Sequence, residues 1–201
     1  MGVMLALIAT VLLGALGGGL VTVTNTEAAI SMNFRDAAET LYAAEGGAEH
    51  VVQELQRATA WDDWLSGAAA SNLTDGTLTP RLPSNRVVSL AAMTTELQAE
   101  WDAAAAWGPN NPRWRLVAHA PLNQVIAGGR PGTSYVAVWV ADDPSESDGD
   151  VAHDSNNVVL LRARALGRGA ASRSVELTVA KNATGGPGSA GVRILSWRVV
   201  R

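Results

Sequence analysis

The first 26 residues carry no charged side chain: the 15 basic and 19 acidic residues of the 201-residue chain all lie between Glu27 and Arg201. Positions 3–23 form an uncharged, predominantly apolar run of 21 residues. A helix needs ~20 apolar residues to cross ~30 Å of hydrocarbon, so this run can span a bilayer. A secretory signal peptide needs a basic start, a shorter apolar core and a small-x-small cleavage site. Here the basic start is missing, and the run continues into Thr24-Asn-Thr-Glu27. The basic flanks that orient an ordinary signal-anchor are missing too. Removal of a charged leader ahead of Met1 is one explanation for both.

Four glycines, Gly14, Gly17, Gly18 and Gly19, fall within this run. Each costs a helix roughly 1 kcal/mol relative to alanine. Two explanations are open. Small residues let neighbouring helices approach closely, and the same cluster lets the helix melt locally outside lipid.

From Glu27 to Arg57 the pattern becomes amphipathic. Ala28, Met32, Leu41, Ala44, Ala48, Val51, Val52 and Leu55 recur at spacings of three and four, among polar Asp36, Glu39, Glu45, Glu49 and Glu54. No proline interrupts residues 1–79. The spacing predicts one long helix, ~85 Å if residues 1–57 are all helical at ~1.5 Å each. The expected domains are a stem helix over 1–57, with 1–26 as its membrane or filament-core segment, and a globular head over 58–201.

The stretch Asn25-Thr-Glu-Ala-Ala-Ile-Ser-Met-Asn-Phe-Arg-Asp36, followed by Leu41-Tyr-Ala-Ala-Glu-Gly-Gly-Ala-Glu49, resembles the N-terminal segment of PilX-type pilins. In that family an uncharged helix runs into T-E-x-x-I-x-x-N-x-R-D and then Y-A-A-E-A-G-x-E. The match covers about the first 57 residues. It implies a type IV pilin-like subunit: a leader cut by a prepilin peptidase after a glycine, an N-methylated first residue, and a polymer core of packed hydrophobic helices. Met1 fits as that first residue, and cleavage after Gly2 is disfavoured because it leaves a leader of two residues. The implied assembly residues are Met1, Leu5, Gly14, Gly17, Gly18, Gly19 and Glu27. The implied partners are other copies or related pilins, the inner membrane before assembly, and the pilus assembly machinery. The implied final location is a bacterial surface filament. Most major pilins carry glutamate at the fifth mature position to pair with a neighbour's terminal amine. Leu5 stands there instead, which favours a minor or atypical subunit, since an amine buried without a partner charge is costly.

Beyond the stem, Asp75-Gly76, Pro80 and Pro83 punctuate loops, and a helix is expected at Thr95–Trp107, stopped by Gly108-Pro109. Five strands are expected: Arg113–Ala118, Ser134–Val140, Asn157–Ala165, Ser172–Ala180 and Val192–Val200. Turns at Gly167–Gly169 and Gly185–Gly188 make the last three a meander. The expected class is α+β: a long N-terminal hydrophobic-then-amphipathic helix packed on a C-terminal antiparallel sheet. This is also the pilin plan. Residues 1–75 hold 2 basic and 9 acidic side chains, whereas 156–201 hold 8 basic and 1 acidic. An acidic stem and a basic sheet can pair within or between copies. Equally, Arg162, Arg164, Arg173, Arg193 and Arg198 can form a solvated strand face. No nucleic-acid motif or aromatic interleaving accompanies these arginines, so no specific nucleic-acid partner is expected.

Catalytic signatures are lacking. His50, His119 and His153 stand far apart in sequence, with no H-E-x-x-H spacing and no G-x-S-x-G elbow, so an enzyme is not expected. The absence of cysteine excludes disulfides and cysteine-ligated metals. The segment Asp142-Asp-Pro-Ser-Glu-Ser-Asp-Gly-Asp150, continuing to Asp154 and Asn156, gathers hard oxygen donors in one loop. Calcium takes 6–8 such oxygens, which makes Glu146, Asp148, Asp150 and Asp154 candidate calcium ligands. The EF-hand register is not met, and a merely solvated acidic loop is the alternative. Asn72-Leu-Thr74 and Asn182-Ala-Thr184 fit the N-glycosylation triplet.

The expected function is a structural subunit of a type IV pilus-like extracellular filament, assembling through its hydrophobic helix. The alternative is a low-copy minor pilin or secretion-system pseudopilin at a filament tip.

Overall fold

Residues with alternating or continuous β-branched and small apolar side chains build the sheet. In the computed structural model, which describes residues 1–82, 84–104, 110–125, 134–182 and 191–200, five strands pair in sequence order: β1 (Arg115–Pro121), β2 (Tyr135–Asp142), β3 (Val158–Leu166), β4 (Ser172–Lys181) and β5 (Val192–Val200). Every pairing is antiparallel. The helices are α1 (Gly2–Arg57), α2 (Asp62–Ser66), α3 (Leu90–Ala104) and α4 (Leu122–Val125). The class is therefore α+β, with a long N-terminal apolar helix and a C-terminal five-stranded sheet. The chain divides into two units, residues 1–36 and 37–201, and the division falls inside α1. The turn expected at Gly185–Gly188 and the helix stop at Gly108-Pro109 lie outside the described residues.

In the second unit, α1 buries Thr40, Ala43, Ala44, Gly47, Ala48, Val51 and Leu55. These positions recur every three or four residues, so they form one helical face. Against that face stand Val136, Val138 and Val140 of β2, Val159, Leu161, Ala163 and Ala165 of β3, and Val175, Leu177 and Val179 of β4. The helix face is small-sided because the sheet lies close. A Cβ added at Gly47 would run into Val136 Cγ1, so glycine is what lets the backbone settle there.

The opposite face of the sheet is covered as well. Leu90, Leu97 and Trp101 of α3 join Trp114, Tyr135, Ala137, Trp139, Ala141, Leu160 and Leu166 in a second core. Trp101 and Trp114 meet edge to face at 5.2 Å, and Trp139 Nε1 donates to Thr94 Oγ1 at 2.7 Å. This helix begins at Leu90 rather than at the expected Thr95. Ser89 caps it, its hydroxyl accepting the Ala92 N–H at 3.1 Å.

Arg162 departs from the solvated strand face considered for the C-terminal arginines. It is buried, with Nη1 2.9 Å from Glu176 and Nη2 3.5 Å from Glu100 of α3. Glu176 also takes Arg198, so one buried carboxylate is shared by two guanidinium groups, with Glu100 as a second counter-charge for Arg162. Arg164 is half-buried and donates to Ser172 Oγ at 3.0 Å, while Arg173, Arg193 and Arg198 are exposed. On the other side of the sheet, Ile194, Trp197 and Val199 of β5 pair with Val179, Leu177 and Val175. They extend the α1-side apolar stripe onto an edge strand, where each is 44–47% exposed.

Replacing Glu176 with Ala leaves Arg162 buried without its closest counter-charge, a loss of about 3–5 kcal/mol for a broken buried pair. Urea unfolding of the full chain in detergent is expected to show a destabilisation of that size. A change below about 1 kcal/mol would mean that Glu100 alone satisfies Arg162.

Candidate functional site

Two places in the chain concentrate unusual chemistry, one in each unit.

The first is the surface of α1 over residues 1–26. Every residue from Met1 to Arg35 is exposed. Val3, Met4, Leu5, Leu7, Val11, Leu13, Leu16 and Leu20 all stand open, so the helix is apolar around its circumference rather than on one stripe. A helix apolar all round belongs inside a protein or a membrane. This one is long and apolar enough to cross a membrane, and its most apolar window is wholly unburied. Its few polar side chains are disposed to match. Thr10 Oγ1 donates to the carbonyls of Ala6 and Leu7, Thr22 to Gly18, Thr24 to Leu20 and Thr26 to Thr22, at 2.9–3.1 Å. Each threonine hydroxyl in the uncharged segment thus spends its proton on its own helix, as an apolar environment requires. Met1, Leu5, Gly14, Gly17, Gly18, Gly19 and Glu27 all lie along this exposed surface. A Cβ at any of the four glycines would meet nothing within 4 Å, so no contact within the chain itself calls for glycine there.

The second place is an acidic cluster where β2 leaves the sheet and β3 enters it. Asp142, at the end of β2, is fully buried; Glu146 is 6% exposed and Asp154 half-buried. One carboxylate oxygen from each lies within 4.8 Å of the others. The local chain is shaped to hold them. Glu146 accepts the Ser155 N–H, the Ser155 hydroxyl and the Asn156 N–H at 2.6–3.1 Å. Asp154 Oδ1 accepts the Val158 N–H at 3.1 Å, and Asp142 Oδ1 the Asp143 N–H at 3.0 Å. Gly149 adopts φ +74°, the left-handed conformation that lets the loop reverse. Burial, aided by the neighbouring Glu146, pushes Asp142 up to about 7 and Asp154 up to about 6. Such a cluster is satisfied either by retained protons or by a cation among the oxygens.

Of the four carboxylates expected from sequence to bind calcium, Glu146 and Asp154 come together here. Asp148 and Asp150 stay exposed outside the cluster, each turned back on a local N–H: Asp148 Oδ1 accepts Asp150 N–H and Asp150 Oδ1 accepts Ala152 N–H, both at 3.1 Å. Alternation in the sequence placed Asp148 and Asp150 with Glu146, but these local turns compete for their oxygens. Asn110, which sequence reasoning did not single out, sends its carboxamide to Asp142 with Nδ2 2.7 Å from Oδ2. No short-range pattern links positions 32 residues apart.

The loop is fastened to α2 as well. Asp62 accepts the Asp154 N–H at 2.9 Å and His153 Nδ1 lies 2.9 Å from its other oxygen. The Asp154 N–H holds the Asp62 carboxyl below its usual range, and the Asp62 carboxylate raises His153.

Thr74, His119 and Asp75 also stand in the order of a hydroxyl, an imidazole and a carboxylate, each contact at 3.2 Å. These groups are already engaged in folding. Thr74 Oγ1 accepts the Gly76 N–H, and Asp75 Oδ1 accepts the Thr77 N–H and the Tyr135 hydroxyl. Burial and the Asp75 carboxylate push the Tyr135 phenol well above its ordinary value. The cluster ties residues 74–77 to β1 and β2.

Replacing Asp62 with Ala is expected to speed amide hydrogen exchange at Asp154 while leaving Ser155 protected, because Glu146 holds the Ser155 amide independently. Equal acceleration at both amides would mean that the loop opens as one piece. Comparison with known proteins gave no matching family model, no matching curated protein and no matching solved structure.

Proposed function

We propose that this chain is a type IV pilin-like subunit, anchored in a bacterial inner membrane by residues 1–26 and then polymerised into a surface filament through the same residues. The observation that carries this reading is the uncharged helix segment, exposed all round and with its threonine hydroxyls bonded to its own carbonyls. Fully covering a Leu, Ile, Val or Met side chain stabilises by about 1.5–3 kcal/mol. Twelve such side chains stand open between Val3 and Val23. Their burial is therefore on the order of 20 kcal/mol, more than the whole stability of a typical domain, ~5–15 kcal/mol. Lipid covers that surface before assembly and neighbouring helices cover it afterwards.

The resemblance of residues 25–49 to PilX-type pilins supports a filament over a simple anchor, as does the glycine cluster. Gly14, Gly17, Gly18 and Gly19 have no packing role within the chain. Close helix approach or local unwinding in a filament core supplies one. The head offers complementary support. Its last strand leaves Ile194, Trp197 and Val199 open, and its basic C-terminal segment suits the acidic stem of a neighbouring copy.

A second reading is favoured by Leu5. Without glutamate at that position the terminal amine of a neighbour lacks a partner charge, which suits a low-copy minor pilin or pseudopilin at a filament tip better than a subunit repeated throughout. Both readings require the apolar helix to be intact. Leu12→Asp places a charge at the centre of the segment, where it costs about 2.5–3.5 kcal/mol in a membrane. Cells carrying this variant are expected to lose the chain from sheared surface fibres by at least tenfold while the head still folds. Unchanged incorporation would overturn the reading.

A further inference from the structure

We propose that the cleft between α3 and the sheet binds a free α-amino acid with a small side chain, its carboxylate held by Arg164 and Ser174 and its ammonium by Glu96 and Glu100. This inference goes beyond the filament reading and does not depend on it.

The cleft has a volume of ≈110 Å³, and its two walls carry opposite charge. On the sheet wall, Arg162 and Arg164 lie two residues apart on β3 and so project from one face. Ser174 stands directly opposite Arg164 on β4. On the helix wall, Glu96 and Glu100 lie one turn apart on α3, a spacing at which like charges repel. One ion pair crosses the cleft, from Arg162 to Glu100 at 3.5 Å. A second does not form: among the described residues, Arg164 and Glu96 make no ion pair. The buried hydroxyl of the sheet wall is open as well. Ser174 is 7% exposed and lines the cleft, yet its side chain makes no hydrogen bond among the described residues. A buried hydroxyl is nearly always paired, so this one marks a missing partner. Arg164 is prepared beside it. Its Nε donates to Ser172 Oγ at 3.0 Å, which orients the guanidinium and leaves both Nη groups without a partner among the described residues. A fork of this kind matches the two oxygens of a carboxylate.

The charge pattern selects the class of ligand. A simple anion at Arg164 faces two glutamates, and a simple cation at Glu96 faces two arginines. A molecule that carries both charges meets each with its opposite. The volume selects the size. Pockets for drug-sized molecules hold about 300–1,000 Å³, so ≈110 Å³ admits only a few heavy atoms. Trp139 is buried with its Nε1 committed to Thr94, and together with Met93 it gives the cleft an apolar side for a small side chain. Glycine, alanine and serine meet these limits. Glu96 and Glu100 are exposed, so the ammonium end is the side open to solvent.

The test uses the full chain in detergent micelles with glycine, L-alanine and L-serine as probes, followed by equilibrium dialysis and thermal unfolding. At least one probe is expected to bind, one molecule per chain, and to raise Tm. N-acetylation of that probe, or conversion of its carboxylate to the amide, is expected to weaken binding by about tenfold or more, because each removes a charge-assisted contact. Arg164→Gln and Glu96→Gln are each expected to weaken binding by about tenfold or more, and Ser174→Ala by about threefold or more. Glu96 is exposed, so its variant leaves the core undisturbed. Arg193→Gln, on the exposed strand β5, keeps wild-type affinity. Absence of saturable binding of all three probes by the wild-type chain, up to about 10 mM, overturns the proposal, whether or not any variant folds. So does wild-type affinity in Glu96→Gln, or equal affinity for the N-acetylated or amidated probe, which would leave a site for one charge alone. Loss of binding in Arg193→Gln also overturns it, by moving the site onto the open strand face.

Discussion

A helix whose first 24 residues carry no charge, and whose threonine hydroxyls are bonded to its own carbonyls, has little to offer water. Apolar surface on this scale is covered by lipid or by protein, and a single chain with one such helix cannot cover it alone. The choice between anchor and filament core is then a choice of cover. A chain that moves from one cover to the other needs a helix that lipid accepts and neighbouring helices can approach. Glycines at 14 and 17–19, with open space around each, meet both conditions.

In residues 37–201 the physics is different. There α1 gives up bulk for proximity: alanine, glycine and threonine make up most of the buried face that meets the sheet, with Val51 and Leu55 as its large fully buried side chains and Leu41 and Val52 packed at its margin. The valines and leucines of β2, β3 and β4 supply the volume that the helix withholds. On the reverse face the division is inverted, with large indoles from α3, β2 and the residue before β1 packing around small Ala137 and Ala141. Both cores interlock large against small, which is how dense packing is reached without strain.

Periodicity was the strongest signal in the sequence. The strand at Val192–Val200 appears with the bounds that its pattern predicts, and the other strands shift by at most a few residues at either end. Alternation is a local property, so it survives translation into structure. The start of α3 was harder, because the segment 90–94 offers only Ser89 as a cap and no clear apolar stripe. A strand pattern leaves a solvated face and a paired arginine open alike for Arg162, because it cannot reveal that Glu100 of α3 reaches that side. The acidic cluster was half legible. Its loop announces itself by composition, but the assignment of oxygens depends on which carboxylates are captured by nearby N–H groups. That competition keeps Asp148 and Asp150 outside, whereas Asn110 reaches Asp142 from 32 residues away through its own Nδ2.

We propose that the apolar helix is the means of polymerisation. Mass spectrometry of sheared surface fibres, with electron microscopy of the same material, tests it most directly. Polymerisation through this helix makes the chain the dominant component of a thin fibre, recovered with residues 1–26 inaccessible to protease. Fibres that lack the chain, together with full recovery of the protein in the membrane fraction, would contradict it and leave residues 1–26 as an anchor alone.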